Sequence, residues 1–203
     1  MKKCAVFLIR ISDNPISMWF AGRTYQSWTN AGYEVQIIEA VTPETMHDCG
    51  IDIKFAPIKV MGRQKRPFSE TEKAVFYSHA KVLKTIAKKT NPAIVLEHDA
   101  ELIKPLPDDI YDMDITALGC TPKSNGHYSQ TPALSYLIYP KMAQRLYNYL
   151  TTIDCKGNVD AYINQHMKDY GSNSKHVHHV RHLKDNEIGN TIDHPFIEGL
   201  TDG

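Results

Sequence analysis

Apolar positions follow two rhythms along this chain. Short, mostly apolar runs read as strands, at 4–10, 33–39, 93–98, 114–119 and 135–139, the one at 93–98 as a buried strand. Between them the apolar spacing lengthens to three and four. Ala74, Tyr77, Val82, Leu83 and Ile86 predict a helix over 69–89 with one buried face. Ser69 and Glu72 form a capping box at its start, and Glu70 and Glu72 suit the positive end of the helix. Further helices are predicted at 17–31, 140–152 (Pro140 in the first helical position) and 160–170. Residues 42–67 read as irregular, 120–132 as turn-rich, and 176–180 as a last short strand. Alternating strands and helices in the first half predict a mostly parallel sheet flanked by helices. Antiparallel pieces in the second half would make it a mixed α/β sheet.

One of these strands ends in chemistry. The run Ile94–Leu96 stops at Glu97 and Asp99, spaced i and i+2. On a strand that spacing puts both carboxylates on one face. The carboxyl ends of strands are where open α/β sheets bind ligands. Two hard oxygen donors there suit Mg²⁺ or Mn²⁺, and such a cation suits a diphosphate. A charged strand exit with no ligand is the alternative reading. No Walker A loop is present and no GxGxxG follows the first strand, so phosphate binding of those types is not expected.

The helix before that strand carries Ser78-His79, and the strand ends in Glu97-His98-Asp99. This succession resembles glycosyltransferase family 25, the lipopolysaccharide and collagen sugar-transfer family. That family has a Ser-His pair in a helix, then a strand ending in Glu-Asp-Asp. His98 departs from that pattern. Weaker similarity extends over roughly residues 5 to 193, through Cys4–Arg10, the helix with Arg23 and Trp28, Tyr33–Pro43, Ala133–Leu146 and Asn158-Val159-Asp160.

The resemblance implies a GT-A-like, Rossmann-type fold over one domain, 1–203, and sugar transfer from a nucleotide sugar to an acceptor hydroxyl with inversion. A UDP sugar is the first donor expected. Arg10, Ile11 and Ser12 would lie near the nucleotide, with Ser78 or His79 facing the donor or the acidic loop. Adjacent helical residues are about 100° apart, so those two cannot share one partner. Nucleophilic Ser-His chemistry is not expected, because no GxSxG elbow surrounds Ser78. Glu97 and Asp99 would hold Mn²⁺ or Mg²⁺ as a Lewis acid, with His194 or His178 completing the set. Asp160 stands where the family has its Val-Asp turn and would be the general base; its structural alternative is a helix cap.

Composition narrows the classes. With 42% hydrophobic and 23% charged residues in 203, the chain can bury a real core. No apolar stretch approaches the ~20 residues of a membrane span. The run Ala5–Ile9 is too short for a signal-peptide core, so a cytoplasmic protein is expected. Cys4, Cys49, Cys120 and Cys155 are scattered and form no CxxC pair, which supports neither a structural zinc nor a disulfide framework. Net charge is zero, so nothing draws the whole chain to polyanions. Two basic segments, Lys59–Arg66 and Lys175–Lys184, read as solvated loops or as phosphate-facing surfaces. The acceptor therefore stays open among a glycan, a protein and, as in phage enzymes, a modified base in DNA. A non-catalytic nucleotide-sugar-binding module is the reading from a different class, and His98 is its basis.

Overall fold

The computed structural model describes residues 4–59, 65–122, 128–130, 132–169 and 179–183. Its strands are β1 (Ala5–Arg10), β2 (Val35–Glu39), β3 (Lys54–Phe55), β4 (Ile58–Lys59), β5 (Lys65–Arg66), β6 (Ala93–Leu96) and β7 (Ala100–Leu102). These are followed by β8 (Ile115–Ala117), β9 (Gly119–Pro122), β10 (Tyr128–Gln130), β11 (Ser135–Ile138), β12 (Asp154–Cys155) and β13 (Val180–His182). The helices are α1 (Pro15–Asn30), α2 (Glu70–Ile86), α3 (Pro140–Thr152) and α4 (Val159–Asp169).

The central sheet has the order β2-β1-β6-β11-β8. β1 pairs in parallel with β2 and β6, and β11 runs antiparallel to both β6 and β8. Four of the five strands therefore point one way, giving the mixed, mostly parallel sheet expected. Arg10 stands opposite Glu39, and Ser135 opposite Leu96. The carboxyl ends of β1, β2 and β6 and the start of β11 consequently meet at one edge. A second sheet, β10-β9-β13-β7, lies beyond the acidic turn.

Alternation along the strands divides the core in two. Phe7, Ile9, Val95, Tyr136 and Ile138 face one layer, where they pack with α2, α3 and α4. Val6, Leu8, Ile94, Leu96 and Leu137 face the other, packing with Ala21 and Trp28 of α1 and with Val180 of the second sheet. In α2, Val82, Leu83 and Ile86 are fully buried; removing such a side chain to alanine typically costs about 2–5 kcal/mol. Both bonds of its capping box are formed, Ser69 Oγ accepting from Glu72 N at 3.1 Å and Glu72 Oε2 from Ser69 N at 2.8 Å.

Asn14 Oδ1 caps α1 by accepting from Ser17 N at 2.9 Å, with Pro15 opening the helix. Gly32, at φ +81°, ends it in the left-handed conformation that glycine adopts without strain. Three side chains fasten this helix to the segment after β6. Thr24 Oγ1 donates to the His98 carbonyl at 2.8 Å and Trp28 Nε1 to that of Ala100 at 2.9 Å. Ser27 Oγ accepts from Leu102 N at 3.0 Å.

Several boundaries differ from expectation. The acidic strand stops at Leu96 instead of 98, because Glu97 N turns to the carbonyl of Leu134 (2.9 Å) and His98-Asp99 form a turn into β7. The segment 42–67 contains short strands, β3 pairing with β12 and β4 with β5. The turn-rich stretch contains β9 and β10, paired antiparallel. The last described strand is 180–182; residues 176–178 lie outside the described residues. Among those described, no helix is long and apolar enough to cross a membrane.

Candidate active site

Two cavities open at the edge where β1, β2 and β6 end, and Glu97 lines both. The smaller, about 180 Å³, is walled by Ile9–Ile11, Ala40–Pro43, Ser78, His79 and His98. The larger, about 520 Å³, lies between the start of α2 and the turn before α4, with Arg66, Glu72, Lys156, Asn158 and Asp160 around its polar rim.

Arg10 is the notable group of the smaller cavity. Its side chain is 9% exposed, and Nε lies 3.8 Å from Glu39 Oε2, beyond hydrogen-bond range. Nε and Nη1 are buried without a hydrogen-bond partner among the described residues. Buried guanidinium donors are normally satisfied, so this one has capacity for an anionic or carbonyl guest. Ile11 lines the same cavity. Ser12 turns away: its N–H donates to Glu39 Oε1 at 2.7 Å, and its hydroxyl bonds the other Glu39 oxygen.

Ser78 and His79 are both buried and serve different partners, as the helical angle requires. Ser78 Oγ accepts from Val41 N at 2.8 Å and donates to Ala74 O at 2.9 Å, fastening the exit of β2 to α2. His79 Nδ1 lies 3.1 Å from the Tyr136 hydroxyl, and Nε2 lies 3.4 Å from Glu97 Oε1.

The acidic pair separates. Because β6 ends at Leu96, Glu97 and Asp99 do not share a strand face; Glu97 pairs with His79, whereas Asp99 Oδ2 lies 2.7 Å from His182 Nε2 on β13. Asp99 Oδ1 is buried with no hydrogen-bond partner among the described residues. Those residues contain no group of three or more metal-ligating side chains. His178 and His194 lie outside the described residues; the late histidine brought to Asp99 is His182, which the sequence reading missed.

Asp160 Oδ1 accepts from Ala133 N at 2.9 Å. Capping of α4 falls instead to Asn158, whose Oδ1 accepts from Ala161 N at 3.1 Å. Burial, reinforced by the charge of Glu97, raises the Asp160 carboxyl above the usual aspartate range, against the opposing effect of the Ala133 amide. A partly desolvated carboxylate with raised basicity can accept a proton from a hydroxyl held beside it.

The segment carrying α2, Ser78-His79 and Glu97-His98-Asp99 is also where the chain matches a known family. Residues 23–113 match glycosyltransferase family 25 (LPS biosynthesis protein). The family 25 match contains the Ser-His pair and the acidic turn on which the resemblance rested, and it stops before Asp160 and His182. No curated protein sequence matches the chain. Among solved structures, a glycosyltransferase involved in the glycosylation of the major capsid of PBCV-1 is similar at 9% identity and TM-score 0.43, covering 97% of this chain and 98% of that one. Mouse xyloside xylosyltransferase 1 in its apo form is similar at 11% identity and TM-score 0.38, covering 91% and 79%.

Proposed function

We propose that the chain transfers a sugar from a nucleotide donor, a UDP sugar being the first to test, to an acceptor hydroxyl. The observation that carries this is Glu97 standing in the wall between the two cavities. The smaller cavity, with the unpartnered donors of Arg10, takes the nucleotide. The larger, about 520 Å³, has the size of a ligand pocket and takes the transferred sugar and its acceptor.

In the transfer, the acceptor hydroxyl oxygen bonds to the anomeric carbon as the bond from that carbon to the donor phosphate oxygen breaks. Asp160 receives the hydroxyl proton. Attack from the side opposite the leaving group inverts the anomeric centre. Arg10 donates hydrogen bonds to the nucleotide and favours charge accumulating there. Lys156 and Arg66 stand at the rim of the acceptor cavity, Arg66 already paired with Glu72 at 2.6 Å.

A divalent cation would be held by Oδ1 of Asp99, which is buried without a hydrogen-bond partner among the described residues, while His182 Nε2 steadies the same carboxylate at Oδ2. Mg²⁺-type sites often have one or two carboxylates and draw their remaining ligands from phosphate and water. Such a cation would neutralise the diphosphate leaving group.

The test is hydrolysis and binding of a panel of nucleotide sugars, with and without Mn²⁺, by wild type, Asp99→Ala and Asp160→Asn. Turnover of one donor, dependent on Mn²⁺ and lost in Asp99→Ala, is the expected result. Absence of binding to every donor under both conditions would sink the transferase reading.

A further inference from the structure

Tyr136 has no place in the mechanism above, yet it is a fully buried phenol at the heart of the site. It belongs to β11, among Ser135, Leu137 and Ile138, and its ring stacks on that of His79 with centroids 5.9 Å apart and planes 22° apart. Its hydroxyl has one hydrogen-bond partner among the described residues, His79 Nδ1 at 3.1 Å. Burial, and next the charge of Glu97, push the phenol well above its ordinary range, so it keeps its proton.

That proton dictates the state of the imidazole. A buried O–H must donate, and the acceptor it faces is Nδ1. Nδ1 therefore carries a lone pair, and the hydrogen of the neutral ring sits on Nε2. Nε2 faces Glu97 Oε1 at 3.4 Å, so the donor points at the carboxylate. The three groups form one directed line, from the Tyr136 O–H through His79 to Glu97, with each donor given an acceptor. Glu97 Oε1 is thereby engaged from the protein side, and Oε2 is left for the cavities.

The same stretch of chain also holds the other carboxyl. Ala133 N bonds Asp160 Oδ1 at 2.9 Å, and Leu134 O receives Glu97 N at 2.9 Å. Residues 133–136 thus organise both acids through an amide, a carbonyl and a phenol.

We propose that Tyr136 and His79 are positioning residues that lock Glu97, by a fixed imidazole tautomer, in the orientation needed for sugar transfer. This rests on the transferase reading for its consequence, although the tautomer itself does not. Groups that orient a functional side chain from behind typically matter by about 10- to 100-fold.

Two measurements test it. In ¹⁵N-labelled full-length protein, the side-chain shifts of His79, assigned by their loss in His79→Gln, are expected to show a neutral ring protonated on Nε2. In Tyr136→Phe, which keeps the stacked ring, Nδ1 loses its hydrogen-bond donor, so its ¹⁵N shift is expected to move downfield while the hydrogen stays on Nε2 facing Glu97. With a donor established, Tyr136→Phe is expected to lower kcat about 10- to 100-fold with KM for the nucleotide sugar unchanged. His79→Gln with Tyr136→Phe should be no slower than His79→Gln alone, since Tyr136 acts only through His79. Wild-type His79 protonated on Nδ1, or an undiminished kcat in Tyr136→Phe, would overturn the proposal. A wild type that binds no donor would defeat the transferase reading, while the spectrum would still decide the tautomer.

Discussion

The amide of Ala133 donates to Asp160 Oδ1 across 2.9 Å, fastening the first turn of α4 to the turn that begins β11. Asparagine preserves that acceptor and removes the charge. Asp160→Asn is therefore expected to cut transfer by about 10²- to 10⁴-fold, the range of general-base catalysis, with little change in donor binding.

The same substitution has a signature in stability. A carboxyl raised above its unfolded value of about 3.9 favours the folded state fully below that pH, and the contribution is lost as pH rises through the folded value. At neutral pH the charged Asp160 thus weighs against folding. Asp160→Asn should melt at the wild-type temperature or above it at pH 7, the gap closing towards pH 4. Thermal melts across that interval check it.

Arg10→Met should weaken nucleotide binding by at least about tenfold, or ~1.4 kcal/mol, by titration calorimetry. Stability should hold or improve, because the change removes a buried cation whose Nε and Nη1 lack partners. A loss of binding accompanied by unfolding would mean that Arg10 supports the fold instead.

Gly119 is required by close approach. A methyl group there would stand 2.7 Å from Ser135 Oγ and 2.8 Å from Leu134 Cδ2. Gly119→Ala should cost about 1–3 kcal/mol by overpacking. It should also lower kcat beyond what the lost folded fraction explains, because Leu134 receives the Glu97 amide. Denaturation curves and initial rates on the same preparation separate the two effects.

Glu72 joins the capping box to Arg66, and those bonds hold its carboxyl down at about 2. A lowered carboxyl stabilises above its unfolded value of about 4.3 and loses that contribution as pH falls towards 2. The side chain is 38% exposed, so solvent screens the ion pair. Glu72→Gln is expected to cost no more than about 1 kcal/mol at pH 7, and the difference should vanish in acid.

Much of the scaffold was legible because its signals are local. The Ser69–Glu72 box, the apolar spacing of α2 and the runs of β1 and β6 each lie within a few residues. The positions of Ser78-His79 and of the acidic turn were readable for the same reason. Long-range partners were not. Whether a strand ends at Leu96 or two residues later is decided by Leu134, whose carbonyl takes the Glu97 amide. Asp99 meets His182 because β13 pairs with β7, a contact across some eighty positions that periodicity does not encode. Tyr136 did leave a trace: a phenol in a strand whose residues are all buried must find a partner.

Thr24, Ser27 and Trp28 line neither cavity, yet each is hydrogen-bonded to the backbone between His98 and Leu102. They act as a splint, setting the depth at which the acidic turn rests against the sheet. Random mutagenesis scored by catalysis should therefore return hits on the inward side of α1, in residues that no substrate touches.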